Sequence, residues 1–582
     1  MMVGLYGGRV SGERVPVGSL SKLQADGQLL AKTGAHGVCV FWHEGCAYAV
    51  DDRCPHMGFP LHRGTVEHGL LTCHWHNARF DLATGDTLDP FADDVRAYPV
   101  VIEGDDVFLL VEPEPDRVAH LQHRLAEGLE QGLTLVTAKA VLGLLEAGVP
   151  LADIVRTGVD YGTTYRAQGW GTGLTVLVAM ANLLPHLADD DRALALVHGL
   201  SFVSRDTRNH PPRFPLAPLG DDSERATPPG DRLASWYRRF IDTRSGDAAE
   251  RTLATAVASG VGADDVHDMM TAAATDHVFL DEGHTLDFTN KAFEAVGLLG
   301  WSAAEPVLPT LVAQTAGAHR HEEDGMWRHP HDLVGLLAQT TLEYRDVPAN
   351  GFDDVATAAL AWALLADEAQ RVVAELVDAA TAGASAEQLG RALALAAGLR
   401  ITRFHVQNDH GDWDVVHHAF THANALHQRL AAHPTPELLR GVVAGALRVY
   451  LDRFLNIPAA RLPKPVAHPL DELHACWDNQ GHVDRAGEIA YGHLRTGGDP
   501  AELIAALGHA LLAEDAEFHW IQTVEAAVRQ FHAWPPGSDE AALLLAGTSR
   551  FIAAHTPTRR ELPQVVRIAT RLRRGEELFE ES

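Results

Sequence analysis

The sequence predicts a multidomain chain: an N-terminal all-β module followed by a large all-α region. Three observations carry this. The chain has 582 residues, more than one domain usually holds. Residues 14–113 consist of short β-branched or aromatic runs bounded by Gly, Asp or His. Beyond Pro113-Glu114-Pro115, Ala and Leu dominate, and apolar residues recur at helical spacing to about Leu578.

Taken in order, the expected strands are Val15-Pro16-Val17, Gly37 to Trp42, Ala47 to Val50, Ala97 to Val101 and Val107 to Val111. Gly104-Asp105-Asp106 marks a hairpin between the last two. Cys39 and Cys46 fall in or beside strands and read as small buried hydrophobes. Helices are expected over Arg117 to Glu130, Ala138 to Ala147 and Leu151 to Arg166, with the pattern continuing to the C-terminus. The expected domains are thus 14–113 and 116–582, with proline-rich subdomain edges near 210–230 and 457–470. Leu389 to Phe404-His405 and Leu503 to Phe518-His519 share a fifteen-residue spacing, with looser copies at Gly260 to His284 and Gly171 to His198. Internal duplication of a helical hairpin is one reading, and chance likeness between Ala/Leu-rich helices is the other.

Composition narrows the function classes. Hydrophobic content of 46% and charged content of 21% suit a soluble globular protein. A formal charge of −31 argues against a nucleic acid or an anionic membrane as partner. Five cysteines leave no disulfide framework, Met1 to Val10 holds no secretory apolar run, and no stretch of about twenty apolar residues appears. The expectation is a cytoplasmic protein without a membrane span.

The chemistry concentrates between Cys54 and His76. Cys54-Pro55-His56 is one clip, sixteen residues from Met57 to Thr72 follow, and Cys73-His74-Trp75-His76 is the second. Two thiolates and two imidazoles suit a [2Fe–2S] cluster with two Cys on one iron and two His on the other. The same four groups also suit a tetrahedral zinc.

The flanks separate these alternatives. Gly58-Phe59-Pro60-Leu61, Gly64, Val66, Gly69, Leu71 and Phe80-Asp81-Leu82-Ala83-Thr84-Gly85 resemble the Rieske ferredoxin family over about a sixth of the chain. The resemblance implies a small antiparallel fold and one Rieske-type [2Fe–2S] cluster held by Cys54, His56, Cys73 and His76. Two positions depart from the family pattern: His74 stands where Pro is usual, and Asn77 where Gly is usual. Asn tolerates positive φ, so the loop can still turn there. High-potential members of the family carry an extra disulfide-bonded Cys in each loop. Here those positions are Phe59 and Trp75, and Asn77-Ala78 offers no serine hydroxyl to a sulfide. Fewer hydrogen bonds to sulfur imply a low-potential cluster.

The helical region does not resemble a Rieske oxygenase catalytic domain, yet it is rich in histidine; the whole chain has 34. Asp414, His418 and His422 fall on one helical stripe, and Asp414-x2-His417-x4-His422 is similar in spacing to the mononuclear-iron motif of Rieske oxygenases. Two His and a carboxylate suit an additional non-haem iron; interhelical hydrogen bonding is the alternative. His319 to Asp324 with His329, His331 and Asp332 reads as a solvated loop. His198, His284 with Asp281 and Asp287, and His519 with Asp515 are helix-borne groups that converge in one pocket if the repeats are real.

Two functional readings follow. In the first, the protein is an oxidoreductase: an electron-donating reductase supplies the cluster, which feeds a site in the helical domain acting on an unidentified small-molecule substrate. In the second, it is a non-catalytic electron-transfer or redox-sensing protein with a helical partner-binding scaffold.

Overall fold

The structure, a computed structural model, describes residues 13–33, 36–111, 117–220, 228–349, 351–576 and 578. The expectations for Met1 to Val10 and for the Pro113-Glu114-Pro115 connection lie outside the described residues. The strands are β1 (Glu13–Ser19), β2 (Gln28–Thr33), β3 (His36–His43), β4 (Cys46–Asp51), β5 (Thr65–Glu67), β6 (Leu70–Thr72), β7 (Arg79–Asp81), β8 (Ala97–Tyr98), β9 (Val100–Glu103) and β10 (Asp106–Val111). They form three antiparallel sheets, in the orders β1-β10-β9, β2-β3-β4-β8 and β5-β6-β7. β9 and β10 are joined by the expected turn, with Glu103 opposite Asp106 and Gly104 at a φ of 64°.

Alternation along β3 explains its unbroken apolar run. Val38 and Val40 enter a core with Leu23, Leu29, Ala49 and Leu109. Cys39 and Phe41 point the other way, into a core with Val50, Phe59, Leu61, Leu71 and Phe80. That second core also contains Cys54 and Cys73, so it forms the floor beneath the two clips. Cys39 is fully buried as expected, but Cys46 is exposed, which corrects its reading as a core residue. It opens β4 directly after the Glu44-Gly45 turn, at the end of the sheet. Gly85 closes the turn after β7 at a φ of 83°; a Cβ there would lie 1.9 Å from the Val95 carbonyl oxygen, so only glycine fits.

Strand gives way to helix between Val111 and Arg117, and 23 α-helices follow among the described residues. Compactness divides the chain elsewhere, into one unit of residues 1–149 with 564–582 and another of residues 150–563. In the first unit, helices Arg117–Gln131 and Thr134–Glu146 accompany the sheets, and Arg573 Nε donates to Glu146 Oε1 at 2.9 Å.

The second unit is all helix. At its centre, helix Ala386–Thr402 is buried at every position except Glu387, and it packs against helix Asp412–Ala432. A Ser385/Gln388 capping box starts it, and Arg400 near its end donates to the Val449 carbonyl and to Asn456 Oδ1. Residues 210–220 and 457–471 carry no helix or strand, in keeping with connections there. Phe404-His405 follow the end of helix Ala386–Thr402, whereas Phe518-His519 open helix Phe518–His532. The shared fifteen-residue spacing therefore does not mark equivalent places. No described helix is long and apolar enough to cross a membrane.

Candidate functional site

The two clips are copies of one loop design. The Cys54 N–H donates to the Phe59 carbonyl at 2.8 Å, and the Gly58 N–H donates back to the Cys54 carbonyl at 2.8 Å. In the second loop Cys73 N–H donates to Ala78 at 2.9 Å, and Asn77 N–H returns to Cys73 at 3.0 Å. Each turn needs a left-handed residue at its fifth position. Gly58 supplies a φ of 84° and Asn77 one of 60°, the conformation expected of Asn77 from its residue type.

This folding brings the four sequence-selected side chains together. The Cys54 and Cys73 thiols hydrogen-bond one another, which raises Cys54 and lowers Cys73, as when two acids share one proton. Backbone amides two and three residues on, His56 and Met57 in one loop and Trp75 and His76 in the other, also favour the thiolates. The His56 and His76 rings meet edge to face at 4.7 Å. His56 is lowered to about 4, first by burial, then by Lys139 and His76, so its ring is neutral near pH 7. Its Nδ1 is buried with no hydrogen-bond partner. Two adjacent thiols and two neighbouring imidazoles, one with an orphaned nitrogen, fit a mixed Cys/His cluster. His74 is not part of this group; its Nε2 lies 3.2 Å from Thr65 Oγ1. His76 is exposed.

Three further contacts hold the loops. Phe59 and Trp75, in the places where a loop-bridging disulfide would stand, face each other at 6.4 Å. Asp52 accepts from the His62 N–H at 2.7 Å, and its other oxygen meets His62 Nδ1 at 2.7 Å. Lys139, on helix Thr134–Glu146, donates from Nζ to the Pro55 carbonyl at 2.6 Å and to the His56 carbonyl. Sequence reading missed Lys139, because nothing local marks a lysine eighty residues away as a brace. It sits in a cleft of about 950 Å³ that also borders Arg53, Cys54 and Arg124. Burial lowers it to about 8.

The histidine-rich helix Asp412–Ala432 resolves differently from its sequence pattern. The helix is buried nearly all round, so His417, His418, His422 and His427 are all interior, and spacing alone does not sort them. His417 Nδ1 pairs with Thr523 Oγ1 at 2.6 Å, and His427 bridges Gln530 and Glu387 at 3.0 Å each. His422 packs against the Phe279 ring. Asp414 points to His519, with Oδ1 at 3.1 Å from Nδ1. The set Asp414, His417, His422 therefore does not converge as a ligand triad.

Another set does. His284 opens helix His284–Leu299, His418 lies on helix Asp412–Ala432, and His519 lies near the start of helix Phe518–His532. One ring nitrogen from each falls within 4.8 Å of the other two, and His418 Nε2 to His519 Nε2 is 3.2 Å. His418 Nδ1 is 2.8 Å from Glu282, and His284 Nδ1 is 3.7 Å from Asp287. His418 holds the Glu282 carboxyl down at about 2. Burial raises Asp414, but its bond to His519 outweighs that and leaves it below the ordinary carboxylate value. The chain reaches this place through strained backbone: Phe279, Asp281 and Glu282 have φ of 45°, 49° and 55°, at a cost of about 1–2 kcal/mol each.

Of the other histidines, His198 is buried and is not among those whose ring nitrogens meet here, and Asp515 accepts from the Glu561 and Leu562 N–H groups. The His319–Asp324 stretch is not simply a solvated loop: His321 and nearby Trp327 are buried.

A family model described as the Rieske [2Fe-2S] domain matches residues 13–99. The ferredoxin subunit of 3-phenylpropionate/cinnamic acid dioxygenase from Photorhabdus laumondii is 34% identical over 79 residues, 13% of this chain and 75% of that protein. The ferredoxin component of the alkene monooxygenase system of Xanthobacter autotrophicus is 33% identical over 92 residues, 16% of this chain and 75% of that one. Human apoptosis-inducing factor 3 is 29% identical over 112 residues, 19% of this chain; the match spans only 18% of that relative. A solved ferredoxin of carbazole 1,9a-dioxygenase from Nocardioides aromaticivorans IC177 aligns at 26% identity over 17% of this chain and 98% of that one, with a TM-score of 0.16. The family model ends at residue 99 and does not reach the helical region.

Proposed function

The chain belongs to the Rieske [2Fe–2S] family through residues 13–99, and from that premise we propose that it is an oxidoreductase. Its Rieske module takes electrons one at a time from a separate reductase and passes them to an acceptor site carried by residues 150–563. Cys54 and Cys73 ligate one iron of the cluster, and His56 and His76 the other. The observation that carries this assignment is the meeting of two thiols and two imidazoles on two copies of one loop.

When bound, the cluster supplies one-electron redox chemistry at a low potential. The protein's part is to hold it. The amides of His56, Met57, Trp75 and His76 stabilise the sulfur charge, burial keeps His56 neutral, and Lys139 anchors the first loop. The exposed His76 is the edge through which electrons enter or leave. All five cysteines are free, which suits a reducing, cytoplasmic setting.

The oxidoreductase reading draws on the fusion itself, since tethering raises the effective concentration of donor at its acceptor. It draws also on the meeting of His284, His418 and His519 in the helical unit, with Glu282 and Asp414 behind two of the rings, a set that suits a non-haem iron. The ferredoxins that the module resembles are named as components of dioxygenase and monooxygenase systems. We therefore favour an oxygen-dependent reaction on a small-molecule substrate. Anaerobic titration of the oxidised protein with dithionite tests the reading. More than one electron equivalent per chain is expected. A single equivalent, accounted for by the cluster's spectrum, contradicts an iron acceptor and favours electron transfer or redox sensing without catalysis.

A further inference from the structure

We propose that His284, His418 and His519 hold one divalent transition-metal ion, each through one ring nitrogen. Glu282 and Asp414 act as positioning residues behind two of the rings. The inference deepens the reading above, since the choice of iron rests on the Rieske module's supplying electrons; the ligand set itself stands on geometry.

Three segments far apart in sequence bring these rings to one point, with the ligating atoms within 4.8 Å of one another. Metal–imidazole bonds of about 2.0–2.1 Å place neighbouring nitrogens about 3.3 Å apart in a tetrahedron. The His418 and His519 Nε2 atoms already stand at 3.2 Å. The outer nitrogens give a second, independent sign. His418 Nδ1 lies 2.8 Å from Glu282, and His519 Nδ1 lies 3.1 Å from Asp414. A carboxylate on Nδ1 fixes the tautomer with the proton on that side, so the Nε2 lone pair faces inward. This carboxylate–histidine pairing is the usual support of a metal-bound imidazole. His284 is the least supported of the three, since Asp287 stands 3.7 Å from its Nδ1, beyond hydrogen-bond distance.

A hydrogen-bonded histidine core is the competing account. It explains His417 and His427, whose partners are Thr523, Gln530 and Glu387. It does not explain why Asp281 and Glu282 adopt left-handed backbone in the turn that leads through Gly283 into His284. That run of strained residues places Glu282 against His418 while starting the helix that carries His284, and such strain persists where a site over-determines it. Three imidazole ligands with open positions suit iron, zinc, nickel or copper. Zinc does not accept an electron, so service as acceptor for the Rieske module needs a redox-active metal; iron fits, with iron(III) taking the electron and becoming iron(II).

The test is metal content of the full chain, purified anaerobically and dialysed against ferrous iron, with sulfide measured alongside. About three irons and two sulfides per chain are expected in the wild type. His284→Ala, His418→Ala and His519→Ala should each lose one iron while the reduced Rieske EPR signal persists, and circular dichroism reports folding. Asp414→Asn, at a half-buried position, should retain the metal with an affinity 10–100-fold weaker, and this variant decides the matter where the histidine variants aggregate. Retention of the third metal by all three histidine variants overturns the proposal. So does an Asp414→Asn affinity equal to wild type, or a wild-type chain that binds no metal beyond the cluster. A zinc lost in the same three variants supports the site and refutes its service as electron acceptor.

Discussion

Replacing Lys139 by methionine is expected to loosen the first ligand loop without touching a ligand. Lys139 Nζ donates to the Pro55 carbonyl at 2.6 Å and to the His56 carbonyl, and it is largely withdrawn from solvent. Methionine keeps most of the length and removes both donors. A hydrogen bond to a charged group is worth about 1.5–3 kcal/mol, and a carbonyl left buried without a partner costs about 1–3 kcal/mol. The adjoining cleft lets water reach part of the gap, so a net loss of about 3 kcal/mol is expected rather than the sum. If opening of this loop limits cluster loss, that figure is about a hundredfold in rate. The assay is decay of the visible cluster absorbance under anaerobic chelator challenge, comparing wild type, Lys139→Arg and Lys139→Met. The arginine variant should fall between the other two, and the potential of the methionine variant should move negative because a cation has gone. Bleaching of Lys139→Met within twofold of wild type, with an unchanged potential, refutes the role assigned to this lysine.

At Asn77, where φ is 60°, Asn77→Gly should leave cluster retention intact, while Asn77→Val should cost about 1–2 kcal/mol and bleach faster in the same assay. Stability should also depend on pH. Burial drives His198 and His555 to about 4, so both stay neutral in the fold, while the unfolded chain takes up their protons below about 6.5. Stability is therefore full above pH 6.5 and falls as pH drops towards 4, by about 3 kcal/mol per residue. Melting curves at pH 7.5, 6 and 5 read this, His198→Leu should flatten the slope, and a flat wild-type profile contradicts it. Lys291 is buried against Glu525 Oε2 at 2.6 Å and Glu294 Oε2 at 2.9 Å. Lys291→Met should cost about 3–5 kcal/mol by stranding those carboxylates, and pairing it with Glu525→Gln should recover part of the loss in urea unfolding.

Where the sequence was legible, the reason was local. β3 and β10 are β-branched runs with clear turns, and Asn77 carries its own conformational preference. The clips were legible because all four side chains lie within 23 residues on loops that fold on themselves. β2 was not: Gln-Leu-Leu-Ala-Lys-Thr is a poor strand former, and pairing with β3 overrides that propensity. The helical unit shows the limit most clearly. A helix buried all round has no polar face for periodicity to find, so His417 and His422 looked as good as His418. The partners that single out His418 are Glu282, His284 and His519, more than one hundred residues away on either side. No spacing rule within one helix contains them.

The central claim, that Cys54, His56, Cys73 and His76 hold a [2Fe–2S] cluster, is tested most directly by one preparation. Iron and acid-labile sulfide are measured on anaerobically purified protein, and an EPR spectrum is recorded after dithionite reduction, for wild type and for Cys73→Ser. About two sulfides per wild-type chain with a Rieske-type reduced signal, both lost in Cys73→Ser, is the predicted result. Zinc in place of iron, with no sulfide and no reduced signal, would contradict it.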